Sequence, residues 1–256
     1  MRVLKAGGQE LEFERYGSPV DALPTIVFLH EGLGCVSTWG DFPNQLAEAT
    51  GCPALAYSRA GYGGSESVSL PRPLSFLHHE ALTSLPEVLD QADVHDSILF
   101  GHSDGASIAL IYAATAKPKS VRAVIVEAPH VFVEDLTVRS IAAAADEFRD
   151  GDLRPRLQRH HGVNVDCAFW GWNRVWLDPS FRTWSIEEYL PRINVPVLII
   201  QGEQDEYGTM KQVEAIERGV AGIIRTVMLE NCGHAPHRSQ PHAVVDQVTS
   251  FIVAVL

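Results

Sequence analysis

The chain has 256 residues and a formal charge of −12 at pH 7, with 46% hydrophobic and 20% charged residues. That length suits one α/β domain with a large core, and the ordinary composition excludes a disordered or coiled-coil chain. The acidity, with no Lys/Arg cluster to offset it, argues against nucleic acid or an anionic membrane surface as partner.

The opening stretch, MRVLKAGGQELEFERYG, has no apolar run behind a basic start, so it does not read as an export signal. Alternation over LEFERYG predicts an antiparallel edge strand. Short, β-branched apolar runs then alternate with helical patterns. In order they are strand Thr25–His30, helix Thr38–Ala49, strand Pro53–Ser58, helix Leu74–Gln91, strand Ser97–Gly101, helix Ser103–Ala116 and strand Val121–Glu127. After a long interval follow strand Val195–Gln201, helix Thr209–Gly219, strand Arg225–Leu229 and helix Gln240–Val255. Several strands are apolar on both faces, as strands of a covered parallel sheet are. The expected fold class is α/β: a mostly parallel, doubly wound sheet with helices on both faces.

One segment breaks this rhythm. Residues 130–190 separate two strands that need only a single crossover helix, so the chain divides into a core of 1–129 and 191–256 and an insertion of 130–190. A long insertion inside a compact domain is usually functional or a lid. This one is helical over Val138–Arg149 and carries four of the five tryptophans, Trp170, Trp172, Trp176 and Trp184. With Phe169, Val175 and Phe181 beside them, a helical cap over an apolar pocket is expected; Trp170, Trp172 and Trp176 are its candidate lining. The plainer alternative is that the tryptophans form only the insertion's own core.

Four scattered cysteines, with no CxxC pair, read as free thiols of a reducing compartment. No run of about 18 apolar residues is present to span a membrane. The cytoplasm is the expected location.

The chemistry concentrates in a few loops. Gly101-His102-Ser103-Asp104-Gly105 follows one strand and opens a helix, giving GxSxG in a strand-turn-helix context. Such a turn strains the serine backbone and needs small flanking residues, which Gly101 and Gly105 supply. A serine hydroxyl needs a base, and the base an orienting acid. Asp205 lies just past the strand Val195–Gln201, with Glu203 and Glu206 beside it and Glu127 at another strand end. His234 lies past the strand Arg225–Leu229, with His237 and His242 following. The pairs His78-His79 and His160-His161 lack a metal-like partner set, and adjacent residues on a helix point to different faces.

The loop His30-Glu31-Gly32-Leu33-Gly34, the elbow at Ser103, the stretch Ser58-Arg59-Ala60-Gly61-Tyr62-Gly63-Gly64-Ser65, and the sequences GEQDE and NCGHAPH together resemble the α/β-hydrolase superfamily over the whole chain. The resemblance implies an α/β-hydrolase fold with a helical cap, and Ser103, Asp205 and His234 in the family's order of nucleophile, acid and base. It places the oxyanion donors at the backbone N–H of Asp104 and of Gly32, with Leu33 as second candidate for the latter and as a pocket residue. Two positions depart from the pattern: Glu31 stands where Gly is common, and Ser58 where Asp is common. Serine at the elbow disfavours haloalkane dehalogenase and epoxide hydrolase chemistry. The resemblance implies hydrolysis of a carboxylic ester or related acyl bond of a small to medium hydrophobic small-molecule substrate, without cofactor or metal. Carbon–carbon or lactone cleavage in aromatic catabolism is the alternative, and a non-catalytic ligand-binding protein a further one.

Overall fold

The computed structural model describes residues 2–18, 20, 23–116 and 120–256. The chain opens with a hairpin of β1 (Arg2–Ala6) and β2 (Gln9–Tyr16). β3 (Thr25–Leu29) leads into α1 (Phe42–Thr50) and β4 (Ala54–Tyr57). A helical run follows as α2 (Phe76–His79) and α3 (Leu85–Gln91), joined by a wider turn over Glu80–Ser84. Next come β5 (Ser97–His102), α4 (Asp104–Thr115) and β6 (Val121–Glu127). Three helices, α5 (Asp135–Asp150), α6 (Leu153–His161) and α7 (Val165–Trp176), precede β7 (Val197–Gly202). The chain closes with α8 (Met210–Gly219), β8 (Ile224–Leu229), α9 (Pro236–Ser239) and α10 (Pro241–Val255).

The eight strands form one open sheet in the order β1-β2-β4-β3-β5-β6-β7-β8. β1–β2 and β2–β4 pair antiparallel; every other neighbouring pair is parallel. The sequence LEFERYG was expected at the sheet edge. It lies one strand in, because the mixed run RVLKA pairs outside it and takes the edge. Strands β3 to β7 are buried along nearly their whole length, with one apolar cluster on each face of the sheet. Phe42, Leu46, Val244, Val248 and Phe251 from α1 and α10 belong to the cluster on one face; Leu85, Val88, Ile108 and Ile111 from α3 and α4 belong to the other. No helix among the described residues is long and apolar enough to cross a membrane.

Strand order reverses at β3, whose sequence neighbour β4 lies on one side and β5 on the other. Crevices at such switch points open at the carboxyl ends of the strands, and here the loops after β3 and β5 meet. The meeting is tight. A Cβ added to Gly105 would sit 1.9 Å from the Leu29 carbonyl oxygen, which is backbone and cannot swing aside. Gly105→Ala is therefore expected to lower stability by about 3 kcal/mol through overpacking. Urea unfolding checks this: the midpoint should fall at unchanged slope.

Candidate active site

Ser103 sits between β5 and α4 with φ 53° and ψ −116°, a left-handed conformation that costs a β-carbon-bearing residue of order 1–3 kcal/mol. The surroundings enforce it. The Ser103 N–H donates to the Glu127 carbonyl at 2.9 Å, while Gly101 and Gly105 leave no room for side chains at the turn. The hydroxyl is thereby held above the sheet at the start of α4.

The loops after β7 and β8 bring two more of the expected residues to it. His234 Nε2 lies 3.0 Å from Ser103 Oγ, and His234 Nδ1 lies 2.8 and 2.9 Å from the two Asp205 carboxylate oxygens. Asp205 Oδ1 also accepts the N–H groups of Tyr207 and Gly208, at 2.7 and 3.2 Å, and Oδ2 accepts from Gln201 Nε2 at 2.8 Å. Burial alone would push the Asp205 carboxyl up. The hydrogen bond and charge of His234, followed by these other donors, hold it well below the usual range. Asp205 is thus an anion that only accepts, which puts the His234 proton on Nδ1 and leaves a lone pair on Nε2 toward Ser103.

The rival acids and bases are spent elsewhere. Glu203 is exposed on its loop. Glu206 accepts the backbone N–H of His234 at 3.2 Å. Glu127 is fully buried and takes both the backbone N–H of His237, at 2.7 Å, and its Nδ1, at 2.5 Å. His242 is exposed on α10.

Gly32, Leu33 and Asp104 line the same cavity as Ser103 and His234, a space of about 480 Å³. Its apolar side comes from Leu33, Ile141, Leu153, Leu157, Trp172 and Trp176. Trp172 packs so closely on the loop after β3 that a Cβ at Gly32 would lie 2.1 Å from its ring nitrogen. Trp170, expected among the lining residues, lies outside the cavity. Two positions from Trp172 on α7, it faces the other way. It packs against Phe148 and Phe169, with the guanidinium groups of Arg149 and Arg174 each 5.3 Å from its ring. Phe169 stacks on Phe148 at 3.8 Å, and Phe181 packs against Trp176 and Trp184, so Phe148, Phe169 and Phe181 belong to the core of this helical region, while Trp176 also lines the cavity.

Several further residues of the site had no role assigned from the sequence. His130, buried beside His234 with ring centres 5.7 Å apart, also lines the cavity. Burial, and then the neighbouring His234, lower its pKa to about 3, so it is neutral near pH 7. His161 accepts from the Gly63 N–H at 3.0 Å, which leaves its Nε2–H to donate to the Leu33 carbonyl at 2.9 Å. It ties the end of α6 to the loop after β3. Ser58 replaces the expected carboxylate by borrowing one: its hydroxyl donates to Glu12 on β2 at 2.7 Å and accepts the Val36 N–H at 2.9 Å.

The sequence also offered no metal-like set, yet the fold brings ligand atoms of His102, Glu127 and His237 within 4.8 Å of one another. Both Glu127 oxygens are already engaged by His237, and His102 Nε2 lies 2.7 Å from the His234 carbonyl oxygen. Glu127 and His237 are thus bonded to each other, and His102 to the loop of His234.

Comparison with known proteins agrees with this architecture. The chain is 26% identical over 252 residues to carboxylesterase YbfK of Bacillus subtilis, covering 91% of this chain and 81% of that protein. It is 22% identical over 282 residues to a proline iminopeptidase of Lactobacillus crispatus, covering 96% and 95%. Among solved structures, an esterase from Exiguobacterium antarcticum superposes with a TM-score of 0.77 at 20% identity, covering 98% of each chain. Residues 26–247 match the alpha/beta hydrolase family, and it is to this family that the chain belongs.

Proposed function

We propose that the protein is a serine carboxylesterase acting through an acyl-enzyme on small to medium hydrophobic esters. The observation that carries this reading is the 3.0 Å contact from His234 Nε2 to the oxygen of a serine held at positive φ. His234 takes the Ser103 proton as Oγ attacks the ester carbonyl, returns it to the leaving alcohol, and then activates water to release the acid. Asp205 fixes the His234 tautomer and stabilises the imidazolium. The backbone N–H groups of Asp104 and Gly32 are the proposed donors to the tetrahedral oxyanion. The helical region 130–190 serves as a cap, and its residues Trp172, Trp176 and Ile141, with Leu33 from the core, favour an apolar acyl or alcohol group. No cofactor is required, because nucleophile, base and oxyanion donors are all groups of the chain.

A fluorophosphonate probe tests the reading without knowledge of the natural substrate. Ser103 should be the labelled residue in native protein, with no adduct in heat-denatured protein or in Ser103→Ala. A panel of p-nitrophenyl esters, lactones and proline p-nitroanilide should then show fastest turnover with short to medium acyl esters. Labelling at another residue, or turnover confined to the anilide or lactones, would overturn the ester assignment.

A further inference from the structure

Glu31, which occupies a position where glycine is common in the family, is packed into the site from below the loop after β3. Its Oε1 accepts from Arg238 Nη2 on α9 at 3.1 Å, and its Oε2 lies 3.5 Å from His102 Nδ1. Gly34 makes the space: a Cβ there would stand 2.2 Å from Glu31 Oε2. His102, directly before Ser103 and fully buried, reaches the opposite way with Nε2, 2.7 Å from the His234 carbonyl oxygen. One imidazole therefore spans the oxyanion loop and the loop of the proposed base.

We infer that Glu31 and His102 are positioning residues, a charged clamp that holds the Gly32 donor and the His234 ring in register with Ser103. The kinetic part of this inference rests on the function proposed above.

The contacts favour a charged ring. A carbonyl oxygen only accepts, so His102 Nε2 must carry a proton. A neutral ring would then turn the lone pair of Nδ1 toward a carboxylate, an unfavourable contact; only the imidazolium donates from both nitrogens. At 3.5 Å the Glu31 contact is held by charge more than by hydrogen-bond geometry. Burial pushes the His102 pKa down, but the Glu31 carboxylate, then Glu127 and the His234 carbonyl, outweigh it and the net displacement is upward. The other titratable groups around the ring do not replace Glu31. The His234 and His237 rings stand 5.2 and 5.0 Å away, His130 is neutral, and Glu127 is already paired with His237. Arg238 faces the far oxygen of Glu31. Because the folded-state pKa is raised, the clamp is complete at lower pH and is lost as pH rises through that value.

The test pairs a histidine-selective NMR titration with the rate of fluorophosphonate labelling at Ser103 across pH, for wild type, Glu31→Gln, Glu31→Asp and Glu31→Gly. The His102 resonance is assigned with His102→Gln. In wild type, His102 should titrate above the ordinary histidine value, and labelling should decline on the alkaline side at the same pH. In Glu31→Gln the midpoint should fall by about one pH unit or more. Labelling at neutral pH should slow about tenfold or more, with kcat on an ester lowered and KM little changed, as expected of a small misplacement of reacting groups. Glu31→Asp should recover part of the rate, while Glu31→Gly should match Gln. An unchanged midpoint, or an alkaline limb that stays in place in Glu31→Gln, would overturn the clamp. If Ser103 in wild type fails to label at any pH, the proposed function fails, and the NMR midpoints alone still decide whether the Glu31–His102 pair is charged.

Discussion

Substituting His234 by Ala is expected to lower kcat on the best ester by about a millionfold, with KM changed only a few-fold. The reason lies in the 3.0 Å contact to Ser103 Oγ and in what surrounds it. Among the described residues no other base is placed to take over. His130 lies on the same cavity, but its burial, which does not depend on His234, still lowers its pKa and makes it a poor acceptor of a serine proton, and His237 is locked onto Glu127 in the core. Without a base, the hydroxyl must ionise unaided, and only the proposed oxyanion donors and substrate binding remain to accelerate the reaction. Ser103→Ala should cost about as much, and the double substitution scarcely more, because the two side chains act as one unit. Steady-state assays of purified variants check this, with the double variant setting the background. A His234→Ala enzyme that keeps more than about one part in a hundred of wild-type kcat would remove His234 from the role of base.

The parts of the site legible in the sequence were those carried by local signals. The run SILFG, the small residues around Ser103 and the helix ASIALIYAATA define a strand, a strained turn and a helix within one short stretch, and they fold as such. Asp205 and His234 were legible because each follows an apolar strand directly, and parallel strands deliver their following loops to one end of the sheet. What could not be read was pairing at a distance. The Glu31–His102 contact, the bond from His161 to the Leu33 carbonyl, and the Glu127–His237 pair each join segments far apart in the chain. Nothing in the residues flanking them marks one partner for the other. Composition misled in the same way. Trp170, Trp172 and Trp176 were expected together as lining, but helix phase places Trp172 and Trp176, four residues apart, at the cavity and turns Trp170 away. The helix expected over Leu74–Gln91 is interrupted at Glu80–Ser84 by a wider turn, for which the sequence EALTS, without Gly or Pro, gives no warning.

Asp205→Asn isolates the electrostatic part of the arrangement, since it changes shape hardly at all. Turnover is expected to fall about ten-thousandfold. Oδ1 of Asp205 is fixed as an acceptor by two backbone donors, Tyr207 N–H and Gly208 N–H. An asparagine must therefore keep its carbonyl there and place its NH2 at the Oδ2 position, 2.9 Å from His234 Nδ1. That NH2 donates where the carboxylate accepted, while the carbonyl kept at the Oδ1 position, 2.8 Å from Nδ1, is already shared by two backbone N–H groups, so the balance shifts toward a lone pair on Nδ1 and the proton on Nε2. Facing Ser103 Oγ with an N–H, His234 can no longer take its proton. Gln201, which donates to Oδ2 at 2.8 Å, must also turn or lose its partner. The folded protein should respond to acid differently as well. Asp205 has a depressed pKa, so its pairing stabilises the fold at higher pH and is lost as pH falls through the folded value; the uncharged amide of Asp205→Asn cannot contribute that slope. Two measurements decide the matter together: kcat at the optimum, and the imidazole nitrogen shifts of His234, which should switch from the Nδ1–H to the Nε2–H tautomer. A variant that keeps turnover within tenfold would transfer the orienting role to Glu206, whose carboxylate already holds the His234 backbone N–H at 3.2 Å.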